Sequence, residues 1–225
     1  MTVSLAGRTA MPVAHAVPLR IGGFGGAEGL AGYLRAERIE VLVDATHPYA
    51  AAISAHAAAA AAIARVRLVA LRRAPWRPVA GDRWREVGDA DAAVDALGEE
   101  PRRAFLALGR QEIAPFVRAP QHHYLVRSVE AAELAVPHVV YVTARGPFDE
   151  GGDRTLMVAH RIDIVVAKNS GGAATYGKIA AARSLGLPVM LLARPALPNV
   201  PAVDTVEDAI AWLDHALALP ADRGV

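Results

Sequence analysis

Residues 164–172 read Ile-Val-Val-Ala-Lys-Asn-Ser-Gly-Gly, and Thr175 and Lys178 follow in a stretch of helical period. An apolar, β-rich run that breaks into polar residues and paired glycines before a helix predicts a strand, a tight turn and a helix N-terminus. The unsatisfied amides of a first helical turn attract anionic and carbonyl groups, and Lys168 and Lys178 add positive charge to them. A plainer reading fits the same residues: Gly171 and Gly172 only make a turn, Lys168 is a solvated strand end and Lys178 a surface helix residue.

Two further stretches share this grammar. Residues 39–50, Ile-Glu-Val-Leu-Val-Asp-Ala-Thr-His-Pro-Tyr-Ala, lead an apolar strand into Thr46 and His47 and then into an alanine-rich helix. His47 could position a ligand or donate a proton there; equally, Thr46 could cap the helix while His47 merely packs. Residues 3–8 end a short strand with Ser4, Gly7 and Arg8 close together. His122 and His123 are adjacent, so in a strand they face opposite sides and make a poor metal site; no metal is expected.

The elements that must position these residues alternate between strand and helix. Strands are expected at 2–6, 18–21, 40–45 and 66–71, with helices at 27–38 and 48–64, where Pro48 would occupy the first turn. The strand at 40–45 is apolar on both faces, which suits a central parallel position under helices. Residues 72–82 hold two prolines and a glycine and read as a linker, with Trp76 and Trp84 as packing or hinge residues rather than a stacking platform. Beyond it, helices at 89–97, 153–160 and 176–185 alternate with strands at 104–108, 124–127, 139–143, 164–167 and 188–193. A last helix opens at Thr205 with Val206, Ile210, Leu213 and Leu217 as its buried stripe. This order predicts an α/β protein of two doubly wound, Rossmann-like parallel-sheet domains, 1–80 and 81–225, with a ligand cleft between them.

Composition narrows the class. The chain has 225 residues, 53% of them hydrophobic, and a formal charge of +1, so no global field favours nucleic acid or an anionic membrane. It has no cysteine, which removes disulfides and thiol chemistry and is compatible with the cytoplasm. The longest apolar run, 48–64, is too short and too alanine-rich for a membrane span, and no secretory signal is expected at the N-terminus.

Residues 3–8, 39–50 and 164–183, together with Leu108-Gly109-Arg110-Gln111-Glu112 and Arg145-Gly146-Pro147-Phe148, resemble the precorrin-6A reductase family, the NADPH-dependent reductases of the corrin ring in cobalamin synthesis. The resemblance extends from Val3 to about Pro195. It implies NADPH as cofactor, a carboxylate-fringed tetrapyrrole-derived substrate, and contact with other enzymes of the corrin pathway. In that setting a cationic fork beside a hydroxyl suits a ribose 2′-phosphate, which gives Ser4 and Arg8 their role; an acidic residue would select NAD instead. An exposed arginine after a strand is the simpler alternative. The nucleotide site implied comprises Ser4, Gly7, Arg8, Gly22, Gly23, Phe24, Thr46 and His47. His47 and Lys168 are the candidate catalytic residues. Arg110, Arg145, Lys168, Asn169, Ser170, Gly171, Thr175 and Lys178 are the candidate contacts to substrate carboxylates.

The family's first strand and its Gly-Gly-Thr turn have no counterpart here, because the sequence begins at the later Ser-Leu-Ala-Gly-Arg segment. Weakened pyrophosphate binding and unpaired strand edges are expected in consequence. A catalytically impaired paralogue, or a two-lobed binding protein for small anions, would share most of these features. The reductase reading predicts that Arg8→Ala weakens NADPH binding far more than NADH binding in fluorescence titrations, whereas equal losses would remove Arg8 from the 2′-phosphate site.

Overall fold

The computed structural model describes residues 1–7, 16–129 and 133–218; Arg8 lies outside them. In chain order the elements are β1 (Val3–Leu5), β2 (Leu19–Ile21), α1 (Gly26–Ala36), β3 (Val41–Asp44), α2 (Ala51–Ala64), β4 (Arg67–Leu71), β5 (Trp84–Val87), α3 (Ala90–Leu97), β6 (Arg103–Ala107) and α4 (Arg110–Ile113). A 3₁₀ turn at Ala114–Arg118 follows. Then come β7 (His123–Ser128), β8 (Val139–Thr143), α5 (Glu150–Ala159), β9 (Ile164–Lys168), α6 (Gly177–Ser184), β10 (Val189–Leu192), β11 (Ala202–Val203) and α7 (Val206–Ala218). All strand pairs are parallel, as the alternating order requires.

The chain forms two compact units, Met1–Ala74 with Pro195–Val225, and Pro75–Arg194. The last helix, expected in the second unit, therefore belongs to the first. The reason is strand pairing: β11 takes its place beside β4, with Ala202 opposite Ala70, and α7 follows it. Conversely β5, which the sequence did not reveal as a strand, pairs with β10 in the second unit. Each sheet thus receives its outer strand from a segment that follows the other unit in sequence.

The first unit has a β1–β2 sheet and a β11–β4–β3 sheet. Among the described residues β3 pairs on one side only, so it is an edge strand, and Val43 is 36% exposed where a central position was expected. Helix α1 buries Leu30, Ala31 and Leu34 against Ala57 and Ala60 of α2, whose small side chains allow close approach. Pro48 and Tyr49 form a turn ahead of α2 rather than its first turn. On α7 the buried residues are Ala209 and Ala216, while Val206, Ile210 and Leu217 are exposed, because the helix docks on its alanine face.

The second unit is one six-stranded sheet in the order β5-β10-β9-β6-β7-β8. Its centre reads as continuous apolar runs because helices cover both faces: Phe105, Val165, Val166 and Ala167 are fully buried. Asp89 and Asp149 cap α3 and α5 by accepting the Ala92 and Gly152 amides, both at 2.8 Å. The order reverses between β6 and β9, and at such a switch point the loops after the two strands part to opposite faces and leave a crevice. No helix among the described residues is long and apolar enough to cross a membrane.

Two glycines of α1 separate packing from propensity. A Cβ on Gly29 would lie 1.7 Å from the Phe24 carbonyl oxygen, whereas one on Gly32 meets nothing within 4 Å. Gly29→Ala should cost about 1–3 kcal/mol by overpacking, and Gly32→Ala should stabilise by roughly 0.5–1 kcal/mol through helix propensity. Urea midpoints of the two variants check this, and the same sign for both would refute the packing account.

Candidate functional site

At the end of β3, Asp44 is buried and its Oδ1 accepts from the Thr46 amide at 3.1 Å and the Thr46 hydroxyl at 2.6 Å. The Thr46 hydroxyl also lies 3.2 Å from Ser54 Oγ on α2. Thr46 is therefore fixed to strand and helix by its side chain and does not cap α2, whose N-cap is Ala50. The exposed His47 accepts the Tyr49 amide at Nδ1, 3.2 Å away. That bond places the proton of the neutral ring on Nε2, so His47 is oriented as a proton donor.

Ser4 is exposed on β1, and Gly7 at its end has φ 76°. After β2, Arg20 reaches forward to the Gly22 and Gly23 carbonyls at 2.6 and 2.9 Å and lies 3.7 Å over the Phe24 ring. With those carbonyls taken up, the amides of Gly23, Phe24 and Gly25 have no hydrogen-bond acceptor among the described residues. They form a small patch of donors ahead of α1. The sequence reading missed Arg20, although an arginine closing a strand before a glycine run is a visible signal.

In the second unit the switch point is spanned by an ion pair between Lys168, closing β9, and Glu112 on α4. Gly109 allows it: a Cβ there would fall 2.5 Å from Glu112 Oε2. Lys168 is thus held by a carboxylate rather than simply solvated. Arg110, the first residue of α4, and Arg145, on the loop after β8, are exposed. Ser170 donates its amide to the Lys168 carbonyl at 2.9 Å, and Gly171 and Gly172 turn the chain with φ 69° and 72°. Asn169 accepts the Trp76 amide at 2.7 Å and donates to the Trp76 carbonyl at 3.0 Å, while Trp76 Nε1 donates to the Gly172 carbonyl at 2.8 Å. Asn169 and Trp76 therefore pin the turn, and the segment read as a linker is fastened to it.

Lys178 departs most from expectation. It is 4% exposed, its Nζ donates to the Thr175 carbonyl at 2.5 Å and sits 4.8 Å from the Trp76 ring. Burial pushes its pKa down to about 7; Arg127 adds to the effect and Asp153 opposes it. Those two form a buried bidentate ion pair, with Arg127 stacked 3.8 Å over Phe148. Beside them the Thr175 hydroxyl is buried without a partner. A Cβ on Gly177 would lie 2.6 Å from the Asp149 carbonyl oxygen, so only glycine lets α6 start this close to the loop ahead of α5. Lys178 thus holds the turn from beneath through the Thr175 carbonyl and the Trp76 ring. Arg127 and Asp153 lie far apart in sequence and carry no local signal.

The precorrin-6x reductase CbiJ/CobK family model matches residues 1–214. A precorrin-6A reductase of Rhodobacter capsulatus is 51% identical over 224 residues, which is 99% of this chain and 88% of that protein. A precorrin-6A reductase of Rhodococcus erythropolis is 44% identical, over 93% and 86% of the two chains. A cobalt-precorrin-6A reductase of Priestia megaterium is 24% identical, over 84% and 77%. Among solved structures, a CobK precorrin-6A reductase superposes with TM-score 0.93 at 51% identity, covering 100% of this chain and 89% of that one.

The buried lysine has a measurable signature. With its folded pKa near 7 against about 10.5 in the unfolded chain, the unfolded state binds more protons between those values, so stability rises with pH across that window. Lys178→Met should remove this rise, up to about 1.4 kcal/mol per pH unit, and should gain most over the parent near and below pH 7. Denaturant midpoints measured across the window test it; an unchanged slope in the variant would show that Lys178 is not buried as an amine.

Proposed function

The chain belongs to the precorrin-6x reductase CbiJ/CobK family, and from that premise we propose that it reduces precorrin-6A with NADPH during cobalamin biosynthesis. The observation that carries this reading is the 51% identity to a precorrin-6A reductase over 99% of the chain. The relatives at 51% and 44% are named for precorrin-6A and the one at 24% for its cobalt form, which favours the metal-free macrocycle as substrate. The cytoplasm is the compartment this reading implies.

The residues of the first unit suit the nucleotide. Three unsatisfied amides at Gly23, Phe24 and Gly25 fit phosphate oxygens, and the exposed Ser4 with Arg8 suits the 2′-phosphate. When bound, NADPH supplies the hydride. Thr46, locked by Asp44 and Ser54, holds the β3 loop in one conformation, and His47 keeps a proton on Nε2 for delivery to the macrocycle. In the second unit, Lys168 exchanges its Glu112 partner for a substrate carboxylate, with Arg110, Arg145 and the Ser170–Gly171 turn receiving others. Lys178 acts as a positioning residue through the Thr175 carbonyl.

Incubating the chain with precorrin-6A and NADPH should consume the reduced nicotinamide, faster than with the cobalt-bound macrocycle. Lys168→Ala should raise the substrate KM by roughly tenfold, the loss of one charge-assisted contact, with little change in NADPH affinity. Loss of NADPH binding in that variant would move the nucleotide to the second unit.

A further inference from the structure

The amino end of the second sheet holds a feature that the reductase reading leaves unused. A cavity of about 250 Å³ lies there, lined by Arg103 at the start of β6, His123 at the start of β7, His138 just ahead of β8 and His160 at the end of α5. These strands are parallel, so the cavity is a strand length, roughly 15–20 Å, from the carboxyl end of the sheet, where Arg110 and Lys168 lie.

Apart from Tyr124, its titratable side chains are basic, and among the described residues none of Arg103, His123 and His138 has an acidic partner. The His123 and His138 rings stack at 4.4 Å, and neither makes a ring hydrogen bond among the described residues. Arg103 donates Nε to the His160 carbonyl at 2.8 Å and has no ion pair among the described residues. Asp163 Oδ2 accepts the Arg103 backbone amide at 2.9 Å, its Oδ1 is buried without a hydrogen-bond partner, and it does not line the cavity. Tyr124, the next residue along β7, sends its hydroxyl inward to the Ala119 carbonyl. His122 is likewise turned inward, where its Nδ1 accepts the Arg102 amide at 3.1 Å. Among the described residues no carboxylate lines the cavity.

We propose that Arg103, His123 and His138 form a binding site for a small oxyanion, a carboxylate or a phosphate, at the amino end of this sheet. A guanidinium presents paired donors matched to such a group, and two imidazoles can add charge-assisted bonds from the adjoining wall. Around His123 every neighbouring influence opposes protonation: burial first, then His138, then Arg103. A bound anion reverses that balance. Anion binding and protonation are then linked, so the site fills as pH falls through the histidine range and empties as it rises.

Ring-proton NMR of the intact chain tests this by titrating His123 and His138 between about pH 5 and 8 in chloride, inorganic phosphate and acetate at matched ionic strength. Phosphate or acetate should raise the His123 ring pKa by about one unit, corresponding to about tenfold tighter binding to the protonated ring, while the His56 resonances on α2 respond to neither anion. A response to phosphate alone identifies a phosphoryl ligand, and a response to acetate alone a carboxylate; either supports the site. His138→Gln alters an exposed ring without hydrogen bonds and should lower the anion affinity at least severalfold. The proposal is overturned if neither anion moves His123, if His56 moves equally, or if His138→Gln leaves the affinity unchanged.

Discussion

The second unit depends on how three charged side chains share a nearly dry volume. Arg127 and Asp153 neutralise each other, and Lys178 enters beside them with no carboxylate of its own. A buried ammonium there leaves an uncompensated charge, which is why its proton is held so weakly. The arrangement persists because Lys178 satisfies the Thr175 carbonyl and lies against the Trp76 ring, and because Trp76 is tied to Asn169 and Gly172. The turn after β9 is thus fixed from below by Lys178 and from the side by Trp76. Phe148 couples it to the loop ahead of α5 by donating its backbone amide to the Ala174 carbonyl at 2.9 Å. Replacing any one member changes the hydrogen-bonding account of the others, so their contributions are not additive.

Much of the fold was legible because its strands and helices obey strong periods. The run Ile164–Lys168 could only be a buried strand, and the glycine pair after it could only be a turn. What escaped was short or polar. Strand β5 is Trp-Arg-Glu-Val, half of it charged, and β11 has two residues, so neither carries a pattern long enough to count. Helix α7 misled for the opposite reason. Its larger apolar residues form a convincing stripe, yet the most buried positions are Ala209 and Ala216, with Trp212 and Leu213 half-buried between them and Val206, Ile210 and Leu217 exposed. The docked face is thus rotated from the stripe, and hydropathy alone does not fix that rotation.

The candidate site divides along the same line. Thr46 and His47 follow β3, and Lys168 and Asn169 close and follow β9, at the strand ends that the local pattern marks. Residues placed by partners distant in sequence do not follow local rules. Lys178 sits at an ordinary helix position, and only Arg127, Asp153 and Trp76 reveal why it is buried. Glu112 was in view, within the Gly109–Glu112 segment, but its pairing with Lys168 needs β6 and β9 to be neighbours. That neighbourhood is a fact of topology, and no single stretch of sequence contains it.

Topology also sets an order on folding. The first unit recruits β11 from beyond residue 195, so Ala70 finds Ala202 only after the whole of β5 to β10 has been made. The second unit takes β5 from the segment directly after β4, and Met190 pairs with Arg85 across most of that unit. Both closures are non-local, and the loop entropy must be met before either pairing returns any stabilisation. The chain enters the second unit at Ala74–Pro75 and leaves it at Arg194–Pro195. A proline fixes its own φ and keeps the residue before it extended, so both crossings are biased toward extended chain before the sheets close. The β4–β11 pairing closes across the whole of the second unit in sequence, so it is the slower of the two closures, whereas β4 meets β3 locally.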